Sequence, residues 1–351
     1  MATIRAICAI YFCCSVILGT VLPAAGQTPP ETVTEPEENF VAEEAKPAPK
    51  RLNIPGKVGN SDNKLPVQYT FRWLPDQAVQ QQPGEFGMWE HKLSGKAPVW
   101  IHEDGILLLS LGLQVNQVNT TVVLPDSGRE IPETLWNPQL GLFYVHTLHN
   151  GWSIGGKVNM QSASDRPYNQ LRNINPSLLG FLSIPHGERN SWNFALFYSP
   201  LSELPFPIPG ISYAWNPSDD FRMNIGLPLS VYWRPCERLS LEASYMVLRT
   251  VHTKISYELT DWANLYGGYD WSHQSWFLND RVDDQERLFS YSQKLSAGIQ
   301  VTLLECVLVD VSSGYVFDRF LFTGNRYDDN SHDRIDIDNG WFLSGSCGWK
   351  W

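Results

Sequence analysis

Apolar and polar residues alternate through most of this chain in short runs separated by turn residues. In "LFSYSQKLSAGIQVTL", Phe289, Tyr291, Leu295, Ile299, Val301 and Leu303 oppose Ser290, Ser292, Lys294, Ser296, Gln300 and Thr302. "ILLLSLGLQVN" sets Leu107, Leu109, Leu111, Leu113 and Val115 against Ser110, Gln114 and Asn116, and "GWSIGGKVNMQ" sets Trp152, Ile154, Val158 and Met160 against Ser153, Lys157, Asn159 and Gln161. "WFLSGSCGWKW" ends the sequence in the same way, with Trp341, Leu343, Cys347, Trp349 and Trp351 opposite Ser344, Ser346 and Lys350. A period of two is the signature of strands with one apolar and one polar face.

Alternation leaves open which face is inside. A soluble sandwich buries the apolar face, whereas a membrane barrel turns it to lipid and keeps the polar face around a lumen. Three features favour the barrel. First, long connections (Asn119–Pro138, Ser164–Asn175, Pro200–Phe206, His273–Arg287, Arg319–Gly340) alternate with short ones such as Thr260–Asp261 and Leu304–Glu305. Long outer loops and short periplasmic turns sort in this way. Second, Tyr269, Trp271, Phe289, Tyr291, Tyr315, Phe317 and Trp341 form an outer aromatic belt on the apolar parity. Third, the aromatic end at Trp349 and Trp351 resembles the signal read by the outer-membrane barrel assembly machinery.

The predicted fold is therefore all-β: an antiparallel up-and-down transmembrane barrel of about 14 strands, with 12 and 16 as even alternatives. Sixteen follows if Val67–Pro75 and Phe86–Ile101 form a further hairpin, which the Asp104-Gly105 turn before Ile106 favours. Against it, Phe221–Ile225 and Ser230–Trp233 are short for tilted strands.

Before the barrel, residues 1–26 read as a secretory signal peptide, with Arg5, an apolar run to Leu22, and the small residues Ala24, Ala25 and Gly26. Residues 27–66 are rich in Pro, Glu and Lys and read as a disordered linker, which leaves 67–351 for the barrel. The composition, 43% hydrophobic and 13% aromatic with 18% charged residues, suits a folded protein rather than a disordered one. A net charge of −11 argues against a nucleic-acid partner, because binding phosphate needs clustered Lys and Arg. Cys236, Cys306 and Cys347, spread along the mature chain, are expected to form no disulfide framework.

Several stretches together resemble a family of uncharacterised outer-membrane β-barrel proteins, a domain of unknown function. They include "LPDSGREIPETLWN", "GERNSW", "ELPFPIPGISYAWNPSDDFRMNIGLPLSVYWRP", "LSLEASYMVLRTVHTKISYELT" and "SWFLNDRVDDQERLFSYSQKLSAGIQ". The resemblance covers most of the chain from Val67 onward. It implies a barrel in the outer membrane and supplies no activity, ligand or catalytic residues.

Candidate chemistry is sparse. His146 and His149, three apart in a strand, point to opposite faces and suit no shared metal. His273 and Ser275 share a face, as a lipase pair would, but no orienting residue is identifiable. Asp328, Asp329, Asp333, Asp336 and Asp338 lie in one loop without the spacing of a known Ca²⁺ motif, so a solvated loop is favoured. Lys157, Glu242, Lys254, Glu258, Asp270, Lys294, Asp310 and Lys350 fall on the polar parity and are expected to line the lumen. Such mixed charge fits either a water-filled pore or a salt-bridged, closed interior.

The expected function is a passive, porin-like channel for small solutes or ions, in contact with outer-membrane lipid, without cofactor or enzymatic activity. The alternative is a structural or adhesive barrel with a closed lumen that acts through its loops. The terminal alternation makes a local forecast too: Leu343→Arg should impair assembly, while Ser344→Arg on the polar face should be tolerated.

Overall fold

The computed structural model describes residues 66–80, 82–246 and 250–349. The signal peptide, nearly all of the linker, Lys350 and Trp351 lie outside these residues. The alternating segments become strands β1 (Val67–Ala78), β2 (Glu85–His102), β3 (Gly105–Thr120), β4 (Thr134–Thr147), β5 (Ser153–Gln161) and β6 (Asn175–His186). Then follow β7 (Asn190–Tyr198), β8 (Ile208–Trp215), β9 (Phe221–Gly226), β10 (Leu229–Cys236), β11 (Leu239–Met246) and β12 (Thr250–Thr260). The last are β13 (Ala263–Trp276), β14 (Arg287–Leu303), β15 (Val307–Gly324), β16 (Ile335–Ile337) and β17 (Gly340–Trp349). No helix among the described residues is long and apolar enough to cross a membrane, a statement that has no bearing on strands.

Each strand of the ring pairs antiparallel with the next, β15 with β17 past the outlying β16, and β1 closes the ring against β17, from Val67↔Trp349 to Trp73↔Leu343. The result is a closed barrel of 16 strands, with β16 paired outside the ring on the far end of β15. The count is sixteen rather than about fourteen because β1 and β2 form the additional hairpin. The two short segments are strands as well: β9 has only 6 residues and β10 has 8, whereas β14 has 17 and β15 has 18. A closed ring supplies ladder partners on both sides of even a short strand, so low and tall stretches of wall coexist.

Most connections sort by length. At one end, the turn end, they are 103–104, 148–152, 187–189, 216–220, 237–238, 261–262 and 304–306. At the other, the loop end, they include 121–133, 162–174, 199–207, 277–286 and 325–339, the two-residue 227–228 connection at this end being an exception. The outward parity carries an exposed aliphatic band, with Leu111 56%, Leu196 52%, Ile255 52%, Leu295 52% and Val311 50% exposed. Aromatic residues flank it at both ends. Trp73 meets Trp341 edge-on at 5.1 Å and stacks on Trp89 at 5.4 Å, while exposed Trp100, Trp192, Trp233 and Trp262 mark the turn end.

The aromatic belt expected from the sequence holds only in part. Tyr315 and Trp341 are exposed, but Phe289 and Tyr291 are buried against Phe320, Phe322 and Tyr327. A bulge causes this. The β14–β15 register slips between Tyr291 and Gln293, Asp318 takes φ 49°, and the parity of β15 reverses beyond it. Phe320 and Phe322 thereby join Tyr291 and Phe289, while Arg319, Leu321 and Thr323 turn inward. β15 accordingly continues to Gly324, where the sequence suggested a loop from Arg319.

The inner face is partly filled. Phe342 lies over Gly314, where a Cβ would stand 2.8 Å from the ring, and packs with Leu74 and Val316. Ser344 is 7% exposed, donates to the Phe71 carbonyl at 3.0 Å and sits in register with Arg72. Ser344→Arg would therefore crowd a second guanidinium against Arg72, contrary to the tolerance expected from the alternation. Ser346, in register with Asp310, has a carboxylate nearby. We expect Ser346→Arg to assemble like the parent, and Leu343→Arg to lose up to about 2–4 kcal/mol if it lies near the bilayer midplane, less near the interface. Refolding yield and heat modifiability in detergent compare the two; equal damage at both sites would contradict the assigned faces.

Candidate functional site

Charged groups form a ladder over the inner faces of β11–β15, β1 and β2. Glu242 is in register with Lys254, whose Nζ lies 4.2 Å from the centroid of the Tyr266 ring. The Tyr266 hydroxyl donates to Asp310 at 2.8 Å. Nearer the loop end, His252 meets Asp270 at 2.6 Å, and Asp270 is in register with Lys294. Lys294 is buried in the fields of Arg72 and Glu90, which pair at 3.0 Å. Glu258 is exposed close to the turn end, one residue after Tyr257 and two before Thr260. Lys157, on β5, belongs to another arc of wall with Lys96, beside Lys92. Trp349 is half-buried between Val67 and Val307.

Arg72, Glu90, Lys92 and Lys96 are functional candidates absent from the sequence reading. All occupy the polar parity of the β1–β2 hairpin, so extending the alternation count to that hairpin would have found them. Arg319 has no such signal, because its inward turn depends on the bulge.

The loop end is roofed. Gln274 on β13 accepts from Gln114 at 3.0 Å and Asn116 at 3.2 Å, both on β3, a strand that is not its neighbour in the ring. Beyond this contact, Phe86, Val118, Leu124, Leu135, Trp276, Leu288, Leu321 and Ile335 form one buried apolar cluster that joins β2, β3 and β4 to β13, β14 and β15. Each large side chain so buried contributes on the order of 1.5–3 kcal/mol. The 162–174 loop extends to the diametrically opposed 277–286 loop. Phe277 N–H donates to the Ala163 carbonyl at 2.9 Å, and the Arg281 guanidinium donates to Asn173 Oδ1 at 2.7 Å.

Asp333 pins the 325–339 segment to the 121–133 loop. It is fully buried and accepts from the backbone N–H groups of Asp126 (2.9 Å) and Ser127 (2.8 Å) and from the hydroxyls of Ser127 (2.8 Å) and Thr323 (2.9 Å). Arg129 adds a salt bridge to Glu286 and one to Asp333 at 3.5 Å. Burial alone would raise the Asp333 carboxyl; the donors of Ser127, Thr323 and Asp126 outweigh it and hold the group below its ordinary 3.8.

The Asp-rich loop is thus structural at its centre. Asp336 takes Arg334 at 2.8 Å, and Asp338 accepts from Gln80 at 3.1 Å. The ligand-type atoms of Asp126, His332 and Asp333 lie within 4.8 Å of one another, but the Asp333 oxygens are already engaged by hydrogen-bond donors. His273 gains a partner that the sequence did not reveal: its Nε2 lies 3.4 Å from Glu203 of the 199–207 loop, which also accepts from Tyr327 N–H. No hydrogen bond joins His273 to Ser275 among the described residues, so the pair lacks the geometry of an activated nucleophile. His146 stacks on Tyr144 within β4, while His149 lies in the following turn.

Residues 123–328 match the family described as a domain of unknown function, DUF6268. The chain belongs to this family. No curated protein matches it. Among solved structures it is similar to an outer membrane channel from Pseudomonas putida F1, with 8% identity, TM-score 0.38, and coverage of 83% of this chain and 99% of that one. It is also similar to the TodX monoaromatic hydrocarbon channel, at 7% identity and TM-score 0.35, covering 81% of this chain and 88% of that one. A third is the beta domain of the Bordetella autotransporter BrkA, at 8% identity and TM-score 0.30, with 82% and 100% covered. At such scores the barrel class of this DUF6268 member rests on its own strand ring.

The roof yields a pH forecast. A carboxyl with a depressed folded-state value stabilises above its unfolded value, and that contribution is lost as pH falls through the folded value. Amide protection of Ser127 and Asp333 should therefore hold from about pH 7 to 4 and fall below 3.8. Arg129→Ala should lower that protection by about 1–3 kcal/mol at neutral pH. Hydrogen exchange measures both effects, and protection that rises on acidification would contradict the assignment.

Proposed function

We propose that the protein is a passive channel of the bacterial outer membrane, closed at its outer mouth by its own loops in the conformation described. The chain would reach that membrane with a cleaved signal peptide. The assembly machinery would recognise its aromatic end, Trp349 and Trp351, and lipid would then surround its aliphatic band. The supporting observation is the charged inner wall beneath a roof made of loops. Lys92, Lys96 and Lys157 on β2 and β5 occupy a different arc from Glu242, Glu258, Asp270 and Asp310 on β11–β15, with Lys254 and Lys294 interspersed among the acids. A hydrated passage between such walls would favour small polar or charged solutes and needs no catalytic group.

A second reading, a closed barrel acting through its loops, draws on the apolar cluster of the roof. Loops packed on such a core resemble a permanent seal more than a mobile lid. Planar-bilayer recordings separate the two readings. For a loop-closed channel, we expect small or infrequent conductance from the parent and an increase on Arg129→Ala combined with Glu203→Ala, which loosens both clasps. Silence from that variant, verified as folded by heat modifiability, would favour the sealed barrel.

A further inference from the structure

Arg319 is a buried charge without a counter-ion among the described residues. It is 5% exposed, its Nη1 and Nη2 meet no hydrogen-bond acceptor among the described residues, and no carboxylate lies near enough to act on it. The Phe86 ring of the apolar roof lies 4.9 Å from its guanidinium carbon. Lys294, 7% exposed, is in register with Val316, next to the slip that turns Arg319 inward on the same wall. Arg72 and Arg319 act on it as like charges, Glu90 and Asp270 as opposite ones. The nearby carboxylates are already committed: Glu90 pairs with Arg72, and Asp270 with His252.

Buried cations in a low-dielectric interior are costly unless each is paired and hydrogen-bonded. This cluster has more cations than carboxylates. A stacked aromatic ring compensates a guanidinium only in part. The two unpartnered nitrogens form the end of a planar fork, and that fork matches the paired oxygens of a carboxylate or phosphate.

We propose that the barrel binds a small oxyanion, of carboxylate or phosphate type, between Arg319 and Lys294 beneath the roof. Arg319 supplies two parallel donors, and Lys294 supplies a point charge from β14. Arg72 stays with Glu90 and adds a favourable field. The site lies on β14 and β15 inside the ring, away from the Lys92, Lys96 and Lys157 arc, and does not depend on whether the barrel conducts.

The test uses the full refolded protein in detergent at constant ionic strength. The urea midpoint of unfolding is followed while chloride is exchanged for inorganic phosphate or, separately, for acetate. A saturable rise is expected with one or both oxyanions, and which anion gives it identifies the ligand class. Arg319→Met should remove that response, weakening apparent affinity by about tenfold or more. This variant is expected to fold, because it replaces an unpaired buried charge with an apolar side chain of similar length. Lys294→Met should weaken the response less than Arg319→Met does. No saturable response in the parent would overturn the proposal, as would a response that survives in Arg319→Met. Loss of the response in Lys157→Met but not in Arg319→Met would place the anion on the other arc and overturn it too. Bilayer silence of the parent would leave this outcome unaffected, so the site and the channel reading fail separately.

Discussion

Closure of β1 on β17 is the constraint from which the rest of the structure follows. In hydrocarbon no water is available for backbone N–H and C=O groups, so a sheet can span only if every strand has two neighbours. An open edge on either β1 or β17 would leave a row of unpaired backbone amides. The pairing from Val67↔Trp349 to Trp73↔Leu343 removes that edge. It also fixes the inner and outer parity of β1 and β17, because a slip of one residue would exchange the faces of a whole strand. Leu343 and Trp73 can face outward only if Ser344 and Arg72 face inward.

Closure fixes the ring but not the height of its wall. β9, with 6 residues, and β15, with 18, satisfy the same closure rule. The additional length of β13–β15 gives inner-parity apolar residues such as Trp276, Leu288 and Leu321 no matching wall on the β9–β10 side. They find it instead in loop residues, Leu124 and Ile335 among them. The same residue types that lie exposed on the outer face lower on the wall thus build a dry core at the loop end. What differs is the neighbour, not the pattern.

The balance between legible and hidden features follows from range. Period-two alternation is local, so the barrel class, the sorting of long and short connections, and the exposure of Leu295 and Val311 could be read from single segments. The strand number is less legible, because whether β1 and β2 belong to the ring depends on a pairing with β17 more than 250 residues away along the chain, as the Arg72↔Ser344 register shows. Burial of Phe289 and Tyr291 was hidden for a different reason. A one-residue bulge at Asp318 leaves little trace in composition, yet it exchanges inside and outside for the rest of β15. The clasp of His273 by Glu203 and that of Asp333 by Ser127 were equally hidden, since each joins segments distant in sequence.

The bulge also explains how one strand serves two cores. Before Asp318, outward residues of β15 such as Val311 and Tyr315 meet the surroundings, and inward Val316 packs with Leu74 and Phe342. After it, outward Phe320 and Phe322 are covered by Tyr327, and inward Leu321 enters the roof. Without the slip, Phe320 and Phe322 would enter the lumen, while Arg319 and Leu321 would take the outward face. The roof would lose Leu321 and the aromatic cluster would lose Phe320 and Phe322. A single backbone irregularity therefore couples the seal at the mouth to the aromatic packing on the outer side, and it brings the Arg319 guanidinium inside the barrel.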